Sequence, residues 1–317
     1  MISSLPIGSR IPAELASSNP DLLAQLAFIR PSTALQLLAF AVLLGGIYGL
    51  VALGLTMIFG VMDVINFAHG ALMVVGMYVV WWATNELELN PFLMIPIAVA
   101  LLFALGVVIH LLTIAPIIEA SQENQLIVTF GVLLIVVSAI EIAFSANPQS
   151  LDVDLGSIGI GDVFLPEGQL YALIVAVFAV AVSWTFLRYT QLGRAIRATA
   201  DNREAAQYVG INVPRIDYLT FGLGAALAGL AGAVIPFFQQ INPHLGDTYL
   251  INAFVIVVLG GLGSFPGALI GGMIIGFVHV LGQFFLPGSG YQIAIFAIFI
   301  AVLLLKPEGL LGGDAGG

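Results

Sequence analysis

Long apolar runs separated by short polar punctuation dominate the chain. A helix needs roughly 20 mostly apolar residues to cross the hydrocarbon core of a membrane. The runs Ala34–Phe59, Ala71–Ala83, Phe92–Ile114, Leu126–Ser145, Leu170–Leu187, Tyr218–Phe238 and Tyr291–Leu305 predict such helices. A further apolar region, Leu250–Phe285, is too long for one ordinary span and is interrupted at Gly260-Gly261-Leu262-Gly263-Ser264-Phe265-Pro266-Gly267. Glycine favours turns and proline has no amide to donate, so a break is expected there. The pattern predicts an all-α polytopic membrane protein of about eight spans, one or two of them discontinuous. Residues 1–33 read as a polar N-terminal tail, 34–310 as the membrane domain and 311–317 as a C-terminal tail. Met1–Arg30 lacks the positive start and apolar run of a cleaved signal peptide.

Composition agrees with this class. Hydrophobic residues make up 60% of the chain, charged residues only 8%, and the mean hydropathy is +1.09. Soluble domains carry about 25% charged residues. Cysteine is absent, which excludes disulfides, thiol catalysis and cysteine-held metals. The net charge of −10 comes from 18 acidic and 8 basic residues, with Asp152, Asp154, Asp162 and Glu167 in one loop. An acidic exterior suits a halophilic source and equally suits ordinary scatter.

Five of the 8 basic residues, Arg188, Arg194, Arg197, Arg203 and Arg215, fall in the segment 188–215. Cytoplasmic loops carry the excess of arginine and lysine, so this loop is expected inside and the acidic loop before it outside. Lys306 fits a C-terminus on the cytoplasmic side, provided the broken region enters from outside and returns there. Counting back puts the N-terminus outside, against the pull of Arg10 and Arg30.

The middle of the arginine loop should be helical. Asp201 or Asn202 can cap the amides of a short helix beginning near Arg203, and Glu204 suits its positive start. Glu204-Ala205-Ala206-Gln207-Tyr208 has good helix propensity, and Gly210 with Pro214 should end it. Small side chains let a partner approach closely while flanking arginines meet carboxylates. Charge alone also fits a bland role, setting topology and touching anionic lipid heads; the capped alanine-rich helix favours docking.

Asp63–Gly70 is a second polar interruption between apolar runs, and both interruptions end in Gly-Ala-Leu. Irregular backbone at membrane depth is tolerated only against protein or water. Discontinuous helices at matching places in two halves commonly surround a substrate path, and a free helix N-terminus suits a carboxylate. Asn66 and His69 are candidates to line such a path, with Phe67 against an aliphatic group; the alternative is that they cap a helix and lock a bend. Asp63 reads as solvated, Glu141 as snorkelling, and His110 and His279 as packed. Glycines at 46, 49, 54, 222, 224, 229 and 232 read as helix-packing positions. No metal spacing or nucleophile–base set is evident.

Four motifs, in order, carry a resemblance. They are Gly54-Leu55-Thr56-Met57 with Ile65-Asn66-Phe67-Ala68-His69-Gly70, then the loop from Gly193 to Arg215, then Gly260-Gly261-Leu262-Gly263-Ser264 with Pro266-Gly267-Ala268, then Lys306-Pro307-Glu308-Gly309-Leu310. Together they resemble branched-chain amino-acid ABC permeases of the LivH-like type over about Leu35–Leu310. The resemblance implies an importer permease fold and alternating access. It assigns substrate-pathway roles to Asn66, Phe67, His69, Gly70, Gly260, Gly261, Gly263 and Ser264. It assigns ATPase coupling to Arg197, Asp201, Arg203, Glu204, Ala205, Ala206 and Gly210. The implied partners are a second permease subunit (M-type, or a second copy), two cytoplasmic P-loop ATPases, an external amino-acid-binding protein and membrane lipid, with no nucleic acid. The implied location is the prokaryotic cytoplasmic membrane. ATP and Mg would sit on the ATPases: a P-loop needs GxxxxGK[ST], and the only lysine, Lys306, precedes Pro307. Urea or short amides are an alternative cargo. A stand-alone channel or secondary carrier is less favoured, because intramembrane charge is sparse.

Overall fold

The structure, a computed structural model, describes residues 31–311 except 154 and 287. The expected N-terminal tail up to residue 30, its side of the membrane, and the tail beyond 311 lie outside the described residues.

Eleven α-helices carry the described part of the chain: α1 (Pro31–Met62), α2 (Ala68–Asn85), α3 (Pro91–Ile109), α4 (Gln122–Phe144), α5 (Glu167–Tyr189), α6 (Gln191–Asp201), α7 (Arg203–Tyr208), α8 (Val213–Val234), α9 (Leu245–Gly260), α10 (Phe265–Phe285) and α11 (Gly290–Leu305). Six are long and apolar enough to cross a membrane: α1, α3 with its tail to Ile117, α4, α5, α8 with its tail to Phe237, and α10. α9 and α11 are shorter apolar helices, and α2 has 18 residues. This is an all-α polytopic membrane protein.

Two ends of the body are recognisable from their ties. At one end a small antiparallel hairpin, β1 (Ser157–Ile160) and β2 (Val163–Pro166), turns at Gly161 and is gripped by the start of α1. Gln36 accepts from the Phe164 amide at 2.7 Å and donates to its carbonyl at 2.6 Å. Trp81 and Asn85, at the close of α2, both donate to the Ser150 carbonyl at 3.0 Å, and Glu141 meets His244 at 2.9 Å. Glu141 keeps its side chain 34% exposed, in line with the snorkelling expected, and also meets His244. The arginine loop occupies the other end, where Arg203 reaches the Val61 carbonyl near the close of α1.

Both interruptions are shorter than the apolar pattern predicts. Only Asp63–Phe67 departs from helix in the first, so Ala68, His69 and Gly70 belong to α2. α9 continues through Gly260 and α10 begins at Phe265, which leaves Gly261–Ser264 as the second break. Pro266 lies in the first turn of α10, where a missing amide costs nothing. Pro214 likewise opens α8 and does not close the preceding helix. The broken region runs from the hairpin end towards the arginine end and back, the passage that a C-terminus beside the arginine loop requires.

Glycine governs how closely the helices approach. α1 packs most extensively on α10. A Cβ on Gly272 would lie 2.5 Å from the Cα of Gly49, and one on Gly276 would lie 2.5 Å from the Cα of Gly45. Each helix thus presents a Gly-x-x-x-Gly face to the other, the arrangement that brings helices into backbone contact in lipid. Gly54 and Gly224 do the same between α1 and α8, at 2.8 Å from a built Cβ to the opposing carbonyl. Replacing Gly272 by leucine should destabilise the protein by at least about 1–3 kcal/mol through overpacking. Gly131→Leu, where a Cβ meets nothing within 4 Å, should be tolerated. The detergent-solubilised melting midpoint, followed by size-exclusion, distinguishes the two.

Candidate functional sites: the arginine-end helices and the interior start of α2

The arginine loop folds as two helices hinged at Asn202. Thr190 caps α6 by accepting from the Gly193 amide at 2.9 Å. Asn202, in extended conformation, caps α7 by accepting from the Ala205 amide at 2.8 Å. Asp201, the other candidate cap, is the last residue of α6. Gly210 closes α7 at φ +87°, a left-handed geometry that glycine adopts without strain. Its amide donates to the Gln207 carbonyl at 2.9 Å, and Ile211 donates to the Ala206 carbonyl at 3.0 Å.

Arg203 is not a free docking charge. Its guanidinium forks onto Asp217 at 3.0 and 2.8 Å and donates to the Val61 carbonyl at 3.0 Å, tying α7 to α8 and α1 together. Asp217 is buried, with its side chain 5% exposed against 33% for Arg203. Arg197 donates to the Leu187 carbonyl, and Arg194 donates to that of Tyr189 at 3.3 Å, so both close the C-terminus of α5. Ala206 faces inward. The surface left to a partner is Glu204, Ala205, Gln207 and, most prominently, Tyr208 at 87% and Val209 at 78% exposure. Asp217 was missed as a functional candidate, and Tyr208 was read only as the end of the docking helix. An aspartate about one turn into a helix that opens an apolar span was the available signal for Asp217.

The start of α2 lies inside the body. His69 Nε2 is 3.0 Å from the Val51 carbonyl, about three turns before the end of α1. Asn66 accepts from the Ala68 amide at 3.0 Å through its side chain, so it caps the helix as one of the two readings held. Asn66 and His69 are fully buried, yet Asn66 Nδ2 and His69 Nδ1 have no hydrogen-bond partner among the described residues. Buried polar atoms without partners are rare and call for a water, an ion or a functional role. Phe67 sits 5.3 Å from Phe254 and 6.5 Å from Phe130, ring centre to ring centre. A Cβ on Gly70 would meet the Gly246 carbonyl at 2.5 Å, so close packing with α9 needs a glycine there.

The second break lies nearer the arginine end. Gly263, at φ +78°, abuts Gly60, and Ser264 caps α10 by accepting from the Gly267 amide at 3.1 Å. Gly260 packs on Gly267, and Gly261 on Gly309. Leu310 and Leu311 donate to the Leu259 and Gly260 carbonyls at 2.8 and 3.0 Å, so the final Lys-Pro-Glu-Gly-Leu motif closes α9.

A polar network was also missed. Tyr48 Oη accepts from Asn252 at 3.0 Å and meets His279 Nδ1 at 2.8 Å, linking α1, α9 and α10. Tyr249, edge-on to Tyr48, accepts from Gln239 at 2.9 Å. His279 is packed, as expected, and so is His110, which closes α3 at a π-turn and lies 5.7 Å from Phe221.

A bundle of apolar helices with an interior helix start and a clamped, projecting helix at one end defines a multi-pass helical membrane protein. Residues 37–305 match the family described as branched-chain amino acid transport system / permease component, and the chain belongs to that family. It is similar to the high-affinity branched-chain amino acid transport system permease protein LivH of Escherichia coli, at 33% identity over 297 residues, covering 88% of this chain and 95% of that protein. The probable branched-chain amino acid transport permease protein LivH of Methanocaldococcus jannaschii is 33% identical over 300 residues, covering 88% and 93%. The ribose import permease protein RbsC of Escherichia coli is 29% identical over 221 residues, covering 66% and 68%.

Arg203→Ala should cost about 3 kcal/mol, the lower edge for breaking a buried pair, since Asp217 is left buried and unpaired. The double variant Arg203→Ala/Asp217→Ala should lose less than the sum of the two single changes. A double-mutant cycle on the melting midpoint in detergent measures this; additive losses would contradict the clamp.

Proposed function

We propose that this chain is a pore subunit of an ATP-driven importer of branched-chain or related hydrophobic amino acids, working by alternating access in a prokaryotic cytoplasmic membrane. Residues 34–310 form the permease unit and 188–215 the loop that couples it to two separate P-loop ATPases, which hold ATP and Mg. A second permease subunit, M-type or a second copy, completes the pathway, and an external binding protein supplies the cargo. The arginine loop and the C-terminus face the cytoplasm.

The observation that carries this reading is α7: a capped helix whose outer face is solvent-exposed and whose root is pinned by Arg203. A push on Glu204, Ala205 and Tyr208 from an ATPase passes through that fork to α8 and α1 with little slack. Arg197, Asp201, Ala206 and Gly210 flank and support the helix, with Ala206 facing inward and Asp201 and Gly210 exposed beside it. The cargo end of the reading rests on Asn66, Phe67, His69 and Gly70. The unpartnered Asn66 Nδ2 donor beside a helix N-terminus suits a carboxylate, and the Phe67 cluster suits an aliphatic side chain. His69 Nδ1 offers an acceptor, because Nε2 donates to the Val51 carbonyl. Gly260, Gly261, Gly263 and Ser264 form the pathway's bend at the arginine end. Relatives named for branched-chain amino acids support this cargo.

Ala205→Trp or Glu204→Trp should leave the transporter assembled and hydrolysing ATP in proteoliposomes, while amino-acid uptake falls by at least about tenfold, the scale of a lost coupling free energy. Unchanged uptake by a normally assembled variant would rule out coupling through α7.

A further inference from the structure

We propose that the groove between α1, α5 and α10 at the arginine end is a binding site for an anionic phospholipid, with Arg188 and Arg197 holding its phosphate. This goes beyond the transport role and does not depend on which side of the membrane the groove faces. The groove has a volume of about 830 Å³. Its walls are apolar, from Leu53 on α1, Val180 on α5 and Phe265 on α10, and its mouth is lined by Trp184, Arg188 and Arg197. The outer face of α5 beside it is open, with Val177 60% and Trp184 50% exposed.

Charge complementarity identifies the occupant. The chain carries a net charge of −10, yet the ion pairs among the described residues engage Arg203 and His244, and neither Arg188 nor Arg197 meets a carboxylate. Both guanidinium-bearing residues line the same groove, so an anion seated there gains from each. Arg197 spends a donation on the Leu187 carbonyl and keeps others of its five donors. Arg188 lies over the Trp184 ring at 5.0 Å and the Tyr189 ring at 5.8 Å, the aromatic setting of a membrane interface. Guanidinium forks bind phosphate oxygens in pairs. A slot that is apolar along its length and doubly positive only at its mouth fits a molecule with hydrocarbon chains and one anionic end. A helix of another protein would have to bring an acidic side chain to that one spot and bury the rest against apolar walls.

The test is native mass spectrometry of the full-length chain in detergent, titrated with phosphatidylglycerol or phosphatidylcholine. The wild type should retain phosphatidylglycerol about tenfold more strongly, as expected for two arginines at a membrane surface. Arg188→Gln/Arg197→Gln should bring the two lipids to parity, and Arg215→Gln should keep the wild-type preference. Ala181→Trp, which fills the groove, should weaken both lipids. Glycerol 3-phosphate, a headgroup without chains, should fail to displace phosphatidylglycerol; its displacing the lipid would make the site one for free phosphate and overturn the proposal. A preference absent from the wild type or surviving the double variant would also overturn it, as would cross-linking of Val177→Cys to a second permease subunit across the groove. If the double variant aggregates, Ala181→Trp decides alone: lost phosphatidylglycerol adducts support the site and unchanged adducts refute it.

Discussion

α1 can lie backbone against backbone on α10 only because Gly45, Gly49, Gly272 and Gly276 carry no side chains. Lipid tails are as apolar as leucine, so no hydrophobic force draws the two helices together; close van der Waals contact has to do it. That contact makes α1 the shaft of the molecule. Gly54 lets α8 in against the same helix, Val51 offers a carbonyl to His69, and Val61 offers one to Arg203. The interior helix start and the arginine-end clamp are therefore mounted on one element, and a displacement of α1 reaches both.

Polar groups inside the body fall into two kinds. Tyr48, Asn252 and His279 satisfy one another, and the C-terminal turn satisfies the last carbonyls of α9. These are joints, and in hydrocarbon a satisfied joint keeps its geometry because opening it exposes polar atoms to lipid. Asn66 and His69 differ: each makes one bond and leaves one buried nitrogen without a partner. One of these nitrogens, Asn66 Nδ2, is a donor and the other, His69 Nδ1, an acceptor, and each calls for a water, an ion or another polar group to meet it.

The arginine end divides its charges by task. Arg194 and Arg197 close α5, Arg203 locks α7 to the body, and Arg188 stands on aromatic rings at the surface. What α7 shows outward is then an aromatic residue, an alanine and a carboxylate, not a basic patch. A loop rich in arginine by composition is thus, by geometry, one whose cations mostly serve its own fold.

Much of this was legible in the residues. The apolar runs located the membrane helices, and a cap at Asp201 or Asn202 with Gly210 bracketed α7. The glycines at 46, 49, 54, 222, 224, 229 and 232 were read as packing positions, where a built Cβ meets a neighbour closely. The breaks came out shorter than predicted because glycine and proline are tolerated within helix ends that pack closely, which a local pattern does not reveal. The Tyr48 network was not legible, since it joins residues far apart in the chain. The hairpin and the Asp217 partner of Arg203 are close in sequence and were overlooked in segments read as loops or plain spans. The sequence by itself determined which segments enter the membrane and where the positive charge gathers, because transfer into hydrocarbon is settled residue by residue. Only the tertiary structure decided which buried polar atom found a partner and which arginine was already spent, because a hydrogen bond needs two groups brought within about 3 Å, and that distance belongs to the packing of helices.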